Sequence, residues 1–309
     1  MRPRDRELGQ RIDANLMNFH RERRALPGVR APACRETFVE QLLESIHRVE
    51  FIQVLRGRQI SERRADPNCD LFDPLKAAIL QQRQGCVEEA CWFVFLFVHF
   101  GKHAHGGWRY VREVYGRLGG RRRWDWVTTS LEPDAFRAWL DEHQDDLKRP
   151  EAPGGFGNHR KRESLSAYSA KGTGAVVESY VQWVGPPRTH REMLDEIMDQ
   201  AEGDPFRAFD LLYHSMAAVV RFGRLARFDY ITMLGKLELA TVRPGSPYLA
   251  GSSGPRRGAE LLFGNNEQPA ILDSWVIELG ESLDLGMQVL EDALCNWQKS
   301  PNRFVPFRG

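Results

Sequence analysis

The stretch CVEEACWFVFLFVHFGK, residues 86–102, decides the class of fold. It is apolar almost all round, so it reads as a helix buried on every side. The seven residues from Trp92 to Val98 lie in the longest apolar run of the chain, which His99 closes. A bilayer span needs about 20 such residues, so no membrane helix is expected. A helix of this kind needs other helices to cover it, and the sequence supplies them on both sides. Glu36–Arg56 places Phe38, Leu42, Ile46, Val49 and Ile52 at three- and four-residue spacing, one apolar face. Asp73-Pro74 opens a helix reaching Gln84, and Glu132-Pro133 opens another reaching Leu147, each with proline in the first turn. Helical pattern also covers Trp108–Leu118, Thr189–Ala201 and Asp204–Leu239, the last as two helices bent near Gly223. Short helices are expected over Pro255–Phe263, Ile271–Leu279 and Leu285–Lys299, after a turn-rich connector from Val242 to Ser253. Alternating apolar/polar strands are scarce. The expected fold is all-α.

One segment interrupts the helices. PEAPGGFGNHRKRESLSAYSAKGTG, residues 150–174, is glycine-rich, basic and without periodicity, and reads as a loop or mobile segment. It suggests an N-terminal helical lobe over 1–150, a basic glycine-rich loop over 151–175 and a C-terminal helical lobe over 176–309, or one composite domain. The 309 residues, 42% of them hydrophobic, are enough for a sizeable core, which excludes wholesale disorder. The five cysteines are irregularly spaced and include no CxxC pair, so neither a disulfide framework nor a cysteine-rich metal site is expected. Basic residues at the amino terminus are followed by no apolar stretch, so no secretory leader is visible and a reduced cytoplasmic location is expected.

The net charge of +1 conceals an imbalance. Of the 43 basic residues, only seven are lysine. Arginine is well shaped for bidentate phosphate contact and for stacking on bases, and here it clusters, as at Arg121–Arg123 and Arg160–Arg162. A near-neutral chain with local basic clusters fits a nucleic-acid groove. Five segments carry candidate chemistry. LAGSSGPRRGAELLFG, residues 249–264, leads a glycine-rich turn into a helix, where backbone N–H groups can hold a phosphate beside Arg256 and Arg257. VRFGRLARFDYITMLGK, residues 220–236, sets Asp229 among Leu225, Phe228, Tyr230 and Ile231. A carboxylate in such company either pairs with an arginine or resists ionisation. LGMQVLEDALCNWQK, residues 285–299, puts Glu291 and Cys295 on one helical face and Asp292, Asn296 and Lys299 on another. HFGKHAH, residues 99–105, offers Lys102, His103 and His105 for phosphate or base contact. Zinc there lacks an evident fourth ligand, so neither metal nor cofactor is expected. GGFGNHRKR, residues 154–162, can lie over a phosphate backbone through His159, Arg160 and Lys161. Trp124, Trp126 and Trp183 supply flat surfaces that serve either a core or a stacked base. No P-loop, GxSxG or HExxH is present.

RFGRLARFDYITML, the Gly254-Pro255…Gly258-Ala259 turn and LEDALCNWQK, in that order, resemble the α-glutamyl/putrescinyl-thymine pyrophosphorylase family, helical proteins related to DNA glycosylases. HFGKHAHGGW and FGNHRK fit the resemblance more loosely. It implies a DNA glycosylase-like helical fold with a helix-hairpin-helix-like turn, although the usual first proline of that turn is absent. It also implies double-stranded DNA carrying modified bases as the partner. Phage members of the family are associated with making hypermodified thymines. Bacterial relatives look suited to removing bulky bases from phage DNA, and this chain is similar to anti-phage glycosylases that excise α-glucosylated hydroxymethylcytosine. The activity so implied is a monofunctional, hydrolytic DNA N-glycosylase with no cofactor; the alternative is a transferase acting on activated hydroxymethyl pyrimidines. The acidic catalyst would be Asp229 or the pair Glu291 and Asp292. DNA would be held by Arg224, Arg227, Gly254, Arg256, Arg257, His159, Arg160, Lys161, Lys102 and Lys299.

Overall fold

A computed structural model describes residues 3–306. Those residues form fourteen α-helices. They are α1 (Arg6–Glu22), α2 (Pro32–Gly57), α3 (Pro74–Arg83), α4 (Val87–Phe100), α5 (Arg109–Tyr115), α6 (Trp126–Leu131), α7 (Pro133–Lys148), α8 (Thr173–Val184), α9 (His190–Gln200), α10 (Pro205–Ser215), α11 (Arg224–Lys236), α12 (Gly254–Phe263), α13 (Pro269–Leu283) and α14 (Met287–Trp297). The all-α expectation therefore holds: the described residues contain no strand beyond an isolated bridge between His103 and Gly107. The chain separates into two compact units, one of residues 1–55 with 244–309, the other Arg56–Arg243. This division falls elsewhere than a 1–150/176–309 partition, because the first and last helices share one core that local sequence does not announce.

In the discontinuous unit, α1 contributes Ile12, Leu16 and Phe19 to a core completed by α2 and by α12–α14. Phe38 of α2 meets Trp297 of α14 with ring centroids 4.9 Å apart. Helices α12 and α14 approach closely. A Cβ added at Gly258 would lie 2.3 Å from the Leu294 carbonyl oxygen, and one at Gly254 would lie 2.7 Å from Cys295 Sγ. The two glycines are four apart on one face, so both helices can touch backbone to backbone there. The hairpin expected at this place lacks its first helix, since residues 237–253 are irregular. Gly254 closes a helix contact, and that packing requirement is the physical reason for a glycine at this position.

In the continuous unit, α4 is the buried centre that residues 86–102 predict: Trp92, Phe95 and Leu96 are fully buried. Two acids open this apolar helix, and each caps another helix. Glu88 accepts from the backbone N–H groups of His190 (2.8 Å) and Arg191 (3.2 Å) at the start of α9. Glu89 accepts from the N–H of Trp126 (2.8 Å), the first residue of α6. Donors at a helix start have no partner within their own helix, and a carboxylate also meets the positive end of the helix dipole. Three helices, α1, α6 and α8, lie outside the stretches whose periodicity predicted helix. α8 starts at Thr173, inside the glycine-rich segment. The remainder of that segment is irregular, with a short turn at Asn158–Arg160, but it is tied down. The Gly157 N–H donates to the Phe100 carbonyl (2.7 Å), and the Phe156 ring stacks on Phe100 at 5.4 Å. A Cβ at Gly157 would come within 2.7 Å of the Gly101 backbone, so this glycine serves a close approach.

Candidate functional site

In the second unit the charge of Asp229 is felt at the buried Arg160. The turn at 158–160 points His159 outward and Arg160 inward, so that Arg160 is only 9% exposed. Its Nε donates to the His99 carbonyl (3.1 Å), and its guanidinium lies over the Phe222 ring at 5.2 Å. Burial lowers the Arg160 pKa, and the charges of Glu163 and Asp229 partly offset that. Asp229 itself is half-buried on α11. Arg221, in a left-handed backbone conformation, donates to both Glu163 oxygens at 2.9 and 3.0 Å. His99 is fully buried with Nε2 3.0 Å from Thr173 Oγ1, whose hydroxyl donates to the Ser164 carbonyl. Burial, reinforced by the charges of Arg160 and Arg221, holds His99 well below its usual pKa, so it is neutral at pH 7. Its Nε2 therefore carries the proton, because the Thr173 oxygen can only accept there.

The other expected DNA contacts divide by exposure. Lys102, His159, Lys161, Arg257 and Lys299 are exposed. Arg224 is buried, with its guanidinium over Phe228 at 4.7 Å. Arg227 donates to the Tyr213 carbonyl at 3.1 Å, and Arg256 is bonded to Glu260 one helical turn on at 2.7 Å. Trp124 and Trp126 are core residues, 1% and 5% exposed, which removes them as stacking surfaces.

The remaining two acids lie in the first unit, on α14. Asp292 accepts from Arg48 Nε (2.9 Å) and from Asn296 Nδ2 (3.0 Å), and Asn296 in turn accepts from Lys299 Nζ (3.0 Å). That geometry ties α14 to α2. Glu291 is buried one turn before Cys295, the residue on which Gly254 rests. A cavity of about 490 Å³ in the second unit is lined elsewhere, by Asp70, Arg112, Glu113, Asp146 and Arg149 among others.

Sequence reasoning missed Glu88, Glu89, Tyr180, His190 and Tyr230. The available signal was the pair of acids at the start of an otherwise apolar helix, which buried surroundings oblige to find partners. Glu89 accepts from the Tyr115 hydroxyl (2.8 Å) as well as from Trp126, yet its burial dominates and pushes its pKa up to about 7. An acid raised from 4.5 in the folded state contributes stability that is complete below 4.5 and lost as pH rises through 7. We expect Glu89→Gln, relative to the parent chain, to gain about 3 kcal/mol between pH 4.5 and 8.5. Urea midpoints of both proteins across that range test this; a constant difference contradicts it.

Fold and cluster together define a class: an all-helical protein with a half-buried carboxylate within electrostatic range of a buried arginine. No helix among the described residues is long and apolar enough to cross a membrane. The chain belongs to the alpha-glutamyl/putrescinyl thymine pyrophosphorylase family, clade 3, which it matches over residues 33–309. No curated protein and no solved structure matches it. The family is named for an enzyme of a modified thymine base.

Proposed function

We propose that this protein is a monofunctional DNA glycosylase that removes hypermodified, glucosylated hydroxymethyl pyrimidines from phage DNA and leaves abasic sites, as an anti-phage defence. The supporting observation is family membership over nearly the whole chain, together with a half-buried Asp229 whose charge reaches the buried Arg160. Such an enzyme must draw the nucleotide out of the stack to reach the C1′–N bond. As that bond breaks, positive charge develops on the sugar. Asp229 stabilises the charge as a carboxylate and takes a proton from the water that bonds to C1′, while the base departs with the electron pair of the broken bond and is protonated from solvent. Arg160 keeps a fixed counter-charge near the carboxylate in surroundings of low dielectric. Exposed Lys102, His159, Lys161, Arg257 and Lys299 hold phosphates, a contribution that weakens as salt rises.

A second reading is a transferase that places an amine or amino acid on an activated hydroxymethyl pyrimidine; the family's name favours it. One experiment separates the two. Purified protein is incubated with phage DNA containing glucosylated hydroxymethylcytosine, with DNA containing activated hydroxymethyl pyrimidines plus an amine, and with unmodified DNA. Release of a free modified base and alkali-labile sites only in the first supports the glycosylase. A nucleoside mass shift in the second, with strands intact, establishes the transferase instead. No change in either overturns both.

A further inference from the structure

Four side chains from four helices form one hydrogen-bonded file inside the second unit. Glu88 Oε2 of α4 lies 2.7 Å from His190 Nδ1 at the start of α9. His190 Nε2 lies 2.7 Å from the Tyr180 hydroxyl of α8, which lies 2.8 Å from the Tyr230 hydroxyl of α11. His190, Tyr180 and Tyr230 are fully buried, and Glu88 alone reaches solvent.

We infer that this file is a positioning device for α11, fixing the turn of helix that carries Asp229; the inference rests on the role proposed above for that residue. The protons in the file have a single order. Burial by itself would raise the Glu88 pKa, but its bonds to His190 and Arg191 outweigh that and hold it below the usual value. Burial lowers His190 despite the neighbouring carboxylate, so the ring is neutral at pH 7. Ionised Glu88 only accepts, which places the single ring proton on Nδ1 and leaves Nε2 an acceptor. The Tyr180 hydroxyl must then donate to Nε2, and its one remaining role toward Tyr230 is to accept. Tyr230 therefore donates, and both phenols stay protonated because burial raises them. Every bond points from α11 toward α4, so a rotated α11 would strand a buried donor.

Stability alone does not call for such a file, since apolar residues of the same volume would serve as well without desolvating polar groups. What the file adds is direction. Asp229 precedes Tyr230 on α11, about 100° around the helix, so anchoring one hydroxyl sets the bearing of the adjacent carboxylate. A displacement well under 1 Å at a reacting group is enough to slow chemistry.

The test compares Tyr230→Phe and Tyr180→Phe with Tyr115→Phe. The last also removes a buried hydroxyl bond, the one to Glu89, but on α5. Two quantities are read: kcat and KM for base release, and the titration of the Asp229 carboxyl carbon followed by NMR. We expect Tyr230→Phe and Tyr180→Phe to lower kcat by about tenfold with KM unchanged, and to move the Asp229 titration. Tyr115→Phe should stay within about twofold of the parent kcat, below what a 1 kcal/mol change would produce, and leave the Asp229 titration in place. Equal effects from all three variants, or an unmoved Asp229 titration in Tyr230→Phe, overturn the inference. Absence of base release by the parent protein refutes the glycosylase reading alone, because the NMR comparison still decides the positioning claim.

Discussion

Changing Asp229 to asparagine is expected to slow base release by about 100-fold or more at saturating DNA. Asparagine keeps the shape and most hydrogen-bonding capacity of aspartate but carries no charge. The loss therefore measures how far a fixed negative charge stabilises the developing sugar cation. Removing one preorganised electrostatic group from an enclosed site typically costs about 2.7–4 kcal/mol in the barrier. Arg160 keeps Glu163 as a counter-charge, with Nη1 4.0 Å from Oε1, so the fold should survive the change. DNA affinity at fixed salt should stay within a few-fold, since phosphate contacts dominate it and none is altered. Asp292→Asn makes the comparison. It weakens the tie between Arg48 and α14, so it should lower the melting temperature modestly and leave the rate nearly intact. Single-turnover rates with fluorescence anisotropy on the same duplex decide the matter. An unchanged rate in Asp229→Asn removes that residue as the acid and transfers the role to Glu291, for which Glu291→Gln is the corresponding test.

Fold and candidate site were legible in the sequence to different degrees, for physical reasons. The central helix was legible because burial on every side leaves a mark in composition: residues 92–98 contain no polar side chain. Helices opened by Asp73-Pro74 and Asp204-Pro205 were legible because the cap is local, and in both the aspartate does accept from backbone N–H groups of the first turn. α8 was hidden because TGAVVESYVQWV is rich in β-branched residues, whose weak helix preference is overridden by packing. In α1 the helical spacing of Ile12, Leu16 and Phe19 was present, but the apolar stripe is narrow among charged neighbours. Side-chain direction within the basic segment was not legible. His159, Arg160 and Lys161 look alike in sequence, and only the tight turn at 158–160 sends the middle one into the interior. The file from Glu88 to Tyr230 was beyond local reading altogether, because its bonds join residues as much as 102 positions apart.

Valine at Gly258 should destabilise the first unit by on the order of 3 kcal/mol, a large part of the 5–15 kcal/mol that typically separates folded from unfolded chains. The position is helical and its φ is ordinary, so backbone strain plays no part; the obstacle is space. The first atom met is the Leu294 carbonyl oxygen at 2.3 Å, and the next is the Leu294 carbonyl carbon at 2.7 Å. Both belong to the backbone of α14, which cannot rotate aside as a side chain can. To admit a Cβ the helices must separate, and that opens gaps around Ala259, Leu262 and Leu290 in a core packed without room to spare. Alanine's better helix propensity, worth about 1 kcal/mol over glycine, offsets only part of this in Gly258→Ala. Gly57 isolates the propensity effect: it ends α2 with no atom within 4 Å of a Cβ, so Gly57→Ala should be neutral or slightly stabilising. A further pair tests the neighbouring contact. At Gly254 the obstacle is the Cys295 sulfur at 2.7 Å, a side-chain atom, so Cys295→Ala should recover much of the stability lost in Gly254→Ala. The same partner change cannot rescue Gly258→Val, whose clash is with backbone. Chemical denaturation of the five variants gives the ranking, and a Gly258→Val protein as stable as Gly57→Ala would show that α12 and α14 do not cross at this distance.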